Sequence, residues 1–377
     1  MIRVNVLVVG GGPAGASLSY QLQKNGITCC LIDRAAFPRK KLCGGLLTIK
    51  TVALIEDIYN ERQFPVEKIS NHVSLFYKTE KLSEVNTNSP FYLVDRLDFD
   101  NYFVDKYREL GGLFFENTTV TSFAENKNEA ILSTGEKIEY DFLVGADGAN
   151  SPTRKLIDKK YKPNAICVEF DTPDADVNDE IQVYFAPVRS GYGWRFPKQK
   201  KHTVGMGGTI VENKDLRTAF TVFCKSIGQE INGSIAGALI PYGHYVKKPA
   251  LENKLLIGDA AGLVDPITGE GLYFAFYSAK CAFEALNDAI NTGKSAEAAY
   301  LKKVTAVQKI IRSANRFNYF LFNDVLKHIF LKMIRGKTHI TQYFCENVLS
   351  NYNVSYNAFV LKYLKVRRER KKQEKGQ

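Results

Sequence analysis

Two hydrophobic rhythms divide the chain. Short, mostly apolar runs at residues 6–9, 27–32, 143–144 and 255–257 break off at glycine or aspartate. Runs without polar alternation suit strands buried on both faces, as in a parallel sheet. Between them lies a different texture. Residues 73–77 and 91–94 read as short strands, and 166–170, 181–185, 192–196 and 202–206 as alternating strands separated by Pro, Gly, Asn and Asp. That spacing predicts an antiparallel sheet. A helix is expected over 99–110, with Asp98 near its start and Gly111-Gly112 after it, and a long one from Leu272. From about Ser295 the chain reads as mostly helical and rich in Phe, Tyr and Leu.

The breaks carry the chemistry. After residues 6–9 come Gly10, Gly12 and Gly15 in G-x-G-x-x-G register, with Pro13 and Ala14 between. The first glycine permits a tight turn, the second lets backbone approach a pyrophosphate, and the third lets helix pack on strand. The helix start offers free N–H groups and a positive dipole end to phosphate. Asp33 closes the next strand, where a carboxylate can accept ribose hydroxyls. NAD or FAD would satisfy this first motif alone. Asp147-Gly148 follows the middle run and Gly258-Asp259 the last, with Asp259 placed to bond a ribityl chain or ribose. The segment Asp265 to Gly271, which contains Gly269 and Glu270, precedes the helix from Leu272. A helix opening there can aim its positive end at a flavin ring and stabilise the charge that develops on reduction. The three pieces together point to FAD.

Composition narrows the class. The chain has 377 residues, 45% hydrophobic and 24% charged, enough for a large core in one composite domain or two. No uncharged apolar stretch reaches the length of a membrane span, and the N-terminal apolar run is a strand, not a signal peptide. Seven cysteines without framework spacing suit a reducing compartment, so a cytoplasmic location is expected. No His/Cys cluster suggests a metal, and no recognition motif suggests nucleic acid. The net charge is +11, of which +5 sits on residues 365–377. That tail reads first as a solvated, frayed helix end. The sharper alternative is peripheral contact with anionic lipid at the inner face of a membrane, each Lys or Arg adding ~1 kcal/mol.

With Phe37-Pro38-Arg39-Lys40-Lys41-Leu42-Cys43-Gly44-Gly45 and Tyr192-Gly193-Trp194-Arg195-Phe196-Pro197 added, the chain resembles the geranylgeranyl reductase family of flavoproteins. The wider group includes para-hydroxybenzoate hydroxylase, and Arg96-x-x-Phe99-Asp100 and Asp147-Gly148 match it. The likeness covers about residues 1–290. It departs at Arg189, where the family often has proline three residues before the tyrosine; Pro187 stands nearby. The resemblance implies a Rossmann-type α/β FAD-binding fold with an interleaved antiparallel substrate sheet and a helical C-terminal region. The FAD lobe is expected at 1–70, 95–160 and 250–295, the substrate sheet at 71–94 and 161–249, and the helical region with its basic tail at 296–377.

It also implies reduction of C=C bonds in a polyprenyl lipid by hydride from reduced flavin. The alternative is a monooxygenase acting on an aromatic or quinone-like substrate. A third possibility, from another class, is a redox-inert lipid carrier that contains FAD. The expected cofactor contacts are Gly10, Gly12, Pro13, Ala14, Gly15, Asp33, Arg34, Lys41, Cys43, Gly44, Arg96, Val120, Asp147, Gly148, Gly258, Asp259, Gly269, Glu270 and Gly271. Cys43 is a candidate proton donor or a small packing residue. Tyr192 and Trp194, two apart on a strand, share a face that is either pocket wall or core. The run from Gly205 to Gly208 lies in the strand-rich segment, so no separate nicotinamide lobe is expected. NAD(P)H or ferredoxin would donate electrons transiently.

Overall fold

Strand Ile2–Val9 lies at the centre of a sheet, with Lys137–Gly145 on one side and Cys29–Ile32 on the other, both parallel to it. Lys254–Leu256 and Leu113–Phe115 extend the parallel array outward. The computed structural model describes residues 1–124, 127–173, 178–323 and 327–350, and beyond these residues 355, 356, 358, 359, 361 and 365. Val6, Leu7, Val8, Leu143, Val144 and Leu255 are fully buried, as strands covered on both faces must be. Helices Pro13–Lys24, Arg96–Glu109 and Leu272–Thr292 pack together over the sheet. Tyr59, Phe99, Phe103 and Phe276 meet edge-on or tilted in the same core.

The second sheet has eight strands, in the order Ala236–Ile240, Ala165–Pro173, Lys201–Thr209, Gly191–Pro197, Ile181–Phe185, Lys68–Tyr77, Glu80–Leu93 and Leu46–Leu47. It is antiparallel except where Ile181–Phe185 runs parallel to Lys68–Tyr77. Here the structure corrects the sequence reading. Residues 73–77 and 91–94 are only the ends of a long hairpin, and residue 71 falls inside its first strand. Ser74, Ser83 and Thr87 occupy buried positions along it, so the pattern looked polar on both faces. Thr87 satisfies its hydroxyl on the Asn71 and Ser89 carbonyls. The expected helix over 99–110 starts earlier, at Arg96, because Asp95 caps it by accepting the Leu97 N–H.

Ser295 caps the 27-residue helix Ala296–Phe322 by accepting the Ala298 N–H. With Lys327–Ile334 and Thr338–Tyr343 it covers one face of the second sheet through Phe317, Phe330, Met333 and Ile340. No helix among the described residues is long and apolar enough to cross a membrane. The basic tail lies outside the described residues apart from Lys365.

Candidate active site

One cavity of about 1010 Å³ runs from the glycine loop to the second sheet. That volume is at the top of the range for ligand clefts, ~300–1,000 Å³. At one end Gly15 lets the first helix close on its strand: a methyl group there would lie 1.8 Å from the Gly10 carbonyl oxygen. Gly12 caps this helix and Pro13, lacking an N–H, opens it. A methyl on Gly12 would meet nothing nearer than an Arg39 nitrogen at 3.5 Å, and one on Gly148 nothing within 4 Å. Both glycines thus present bare backbone, as close approach by a phosphate or ribityl group requires.

Asp33 accepts the Gly11 N–H at 2.7 Å and the Ala35 N–H at 2.9 Å. Arg39 stands 4.0 Å from Asp33, 3.4 Å from Asp100, and over the Phe37 ring. Arg96 forms a two-pronged pair with the fully buried Asp100, at 2.6 and 2.7 Å. Burial opposes the Arg96 charge, but Asp100 more than restores it. Arg34 and Lys41 are exposed at the cavity rim, and Val120 lines it.

On the opposite side Asp147 accepts the Thr153 N–H at 3.0 Å. Asp259 lines the cavity. Burial pushes its carboxyl up, against the pull of Lys41, Arg96 and Arg154. The Gly258 N–H is taken by Ser278. The loop before helix Leu272–Thr292 is braced from within: Asp265 accepts the Ile267 and Thr268 N–H groups at 2.8 and 2.9 Å, and the Tyr356 hydroxyl at 3.0 Å. Glu270 is turned onto protein, accepting from Thr48 and Thr51 and pairing with Lys50 at 2.8 Å. Gly269 has φ +67°, which favours glycine, and Gly271 precedes the helix.

The second sheet closes the cavity. The half-buried Tyr192 donates its hydroxyl to the Thr268 carbonyl, tying sheet to loop. Trp194 is 7% exposed, and its Nε1 has no partner among the described residues. Cys43 and Gly44 lie against this face: Cys43 donates its N–H to Glu169 Oε1 at 2.7 Å, and a methyl on Gly44 would lie 2.8 Å from the Phe196 ring. The structure therefore brings Cys43, Tyr192 and Trp194 to one cavity with the glycine loop, Asp33, Asp147, Asp259 and Gly269. Arg39 and Glu169 line the same cavity and Asp265 braces its loop; Arg39 and Asp265 stand in segments singled out in the sequence without an assigned role, and Glu169 was not singled out. A lone glutamate inside the apolar run 166–170 was the available signal for Glu169.

Bare backbone at Gly12 and Gly148, a helix start between them and carboxylates on both walls fit a flavin dinucleotide. A family model described as an FAD binding domain matches residues 3–227. The chain is 30% identical over 332 residues to the chloroplastic geranylgeranyl diphosphate reductase of Nicotiana tabacum, covering 78% of this chain and 68% of that protein. In fold it is similar to a geranylgeranyl bacteriochlorophyll reductase-like protein from Thermoplasma acidophilum (TM-score 0.75, 21% identity, 97% and 96% of the two chains). It is also similar to PqsL, a probable FAD-dependent monooxygenase from Pseudomonas aeruginosa (TM-score 0.71, 18% identity, 88% and 99%). The chain belongs to the geranylgeranyl reductase family of FAD-binding proteins. It is an FAD-dependent oxidoreductase.

Proposed function

We propose that this oxidoreductase reduces C=C bonds of a polyprenyl lipid. The observation that carries the reading is the composition of this cavity: polar at the glycine loop, and walled at its other end by Leu42, Leu46, Phe91, Ile240 and Leu349. Reduced FAD, when bound, supplies a hydride to one alkene carbon. The protein's part is to bind, dry and protonate. In this reading the Gly12 backbone, the start of helix Pro13–Lys24 and Arg39 hold the phosphates, and Asp33 the ribose. The opening of helix Leu272–Thr292 stabilises negative charge on the ring. An unactivated alkene accepts hydride poorly, so water exclusion and a positioned acid must help. Cys43 Sγ is the proposed donor to the second carbon, with Tyr192 and Trp194 as the adjoining wall.

The proposed lobes are 1–70, 95–160 and 250–295 for the cofactor, 71–94 and 161–249 for the substrate sheet, and 296–377 as the helical cover. Gly205, Gly207 and Gly208 lie within strand Lys201–Thr209, not at a strand-to-helix turn. Electrons would then come from NAD(P)H or ferredoxin bound transiently. The relatives' names support a prenyl substrate: the Nicotiana protein is a geranylgeranyl diphosphate reductase. The test is mass spectrometry of lipid extracts incubated with dithionite-reduced protein. Products heavier by two hydrogens are expected. Oxygen uptake with a product heavier by one oxygen would replace this reading with the monooxygenase.

A further inference from the structure

Strand Lys201–Thr209 carries glycine where its neighbours carry large side chains. Gly205 pairs with Glu169 on one side and Trp194 on the other, and Gly207 with Cys167 and Tyr192. Over the bare Gly205, Glu169 and Trp194 close from opposite sides: a methyl there would lie 2.8 Å from Glu169 Cβ and 2.4 Å from Trp194 Cζ2. The turn bearing Cys43 rests on this surface through its 2.7 Å hydrogen bond to Glu169 Oε1. Glu169 is 8% exposed, and its Oε2 has no hydrogen-bond partner among the described residues. The charged or titratable groups facing it are Lys198, Asp171, Arg96 and Cys167. None of the ion pairs among the described residues involves it.

A buried carboxylate held by one N–H is poorly compensated. The neutral acid avoids that cost and still accepts at Oε1. It also adds no negative charge to a wall that faces the reduced cofactor.

We propose that Glu169 is a positioning residue that works as a neutral carboxylic acid, anchoring the turn that presents Cys43 to the cavity. The inference rests on the proposed role of Cys43 but can be tested without it. Burial pushes the Glu169 carboxyl up to about 7, against the Cys43 N–H and Lys198, which favour the anion.

The test uses the full-length protein with FAD bound. Infrared difference titration should show a protonated-carboxyl band that persists to about neutrality and is absent from Glu169→Gln. Thiol alkylation reads the turn, because Cys43 alone of the seven cysteines is not buried. At one fixed pH, Glu169→Gln should be alkylated at a rate near wild type, and Glu169→Ala roughly tenfold faster. If Glu169→Ala does not fold, the band and the Gln variant decide. With an alkene substrate, the wild-type rate should fall above neutrality and the Gln variant should lose that limb. A band that titrates with the exposed carboxyls, or an Ala variant alkylated no faster than wild type, overturns the proposal. Absence of alkene reduction would count against the reductase alone, since the first two measurements need no substrate.

Discussion

Glu169 and Cys43 share one hydrogen bond, yet they should respond differently to substitution. Glu169 is buried with a folded-state pKa near 7, raised by burial above the ordinary glutamate value. Between about pH 4.3 and pH 7 the folded protein keeps a proton that the unfolded chain has released. Its neutral form therefore costs nothing extra below the unfolded value, and stability is lost as pH rises through the folded one. Glu169→Gln, which cannot ionise, should match wild type near pH 4 and exceed it near pH 8 by roughly 3–4 kcal/mol. Urea unfolding midpoints at the two pH values check this; equal differences at both would mean that the carboxyl is already ionised. Cys43→Ala leaves the Cys43 N–H and its bond intact. It should keep FAD, read from the flavin absorbance, and slow alkene reduction by roughly 10²–10⁴-fold if the thiol is the proton donor. A rate within a small factor of wild type would make Cys43 a packing residue.

At the scale of elements, what the sequence revealed depended on whether the partner was near in the chain. The glycine loop, its strand and Asp33 were legible because a close approach to phosphate forces residue types at short spacing. The loop at 265–271 was legible as a loop, but its brace was not: Tyr356, which binds Asp265, lies 91 residues away. The hairpin Lys68–Tyr77 and Glu80–Leu93 was half missed because Ser70, Ser74, Ser83 and Thr87 interrupt the apolar residues at its buried positions. Glu169 was passed over because only the register reveals that Gly205 leaves it room beside Trp194. The Asp265–Tyr356 contact is therefore a fair probe of how far the C-terminal region stiffens the loop. Tyr356→Phe removes one hydrogen bond from a buried carboxylate and keeps the ring that stacks on Phe317. FAD should dissociate faster by about 2- to 10-fold, corresponding to ~0.5–1.5 kcal/mol, with little change in the rest of the fold. Stopped-flow release of FAD measures it; an unchanged rate would show that the two backbone N–H groups hold Asp265 unaided.

Across the whole molecule, positive charge gathers toward the C-terminus. The helical cover supplies Leu349 to the apolar end of the cavity, so substrate and cover are in contact in the proposed reading. Tyr319, Ile329 and Leu361 are exposed on this cover, at 70, 41 and 67%. The strongly basic residues 365–377 follow directly. A polyprenyl chain leaves a bilayer only if an apolar cavity receives it, so the cavity should be filled at a lipid surface. Anionic lipid would hold the tail through screened charges, each contributing ~1 kcal/mol and weakening with salt. Removing the residues after Leu364 should then lower cosedimentation with anionic vesicles at low salt while FAD content stays the same. Turnover of membrane-embedded lipid should fall more than turnover of a short soluble analogue, because only the first needs the surface. High salt should bring the full-length protein down to the level of the shortened one. Equal binding of both forms to anionic and neutral vesicles would mean that the tail is merely solvated and that the exposed aromatic and aliphatic residues do the docking.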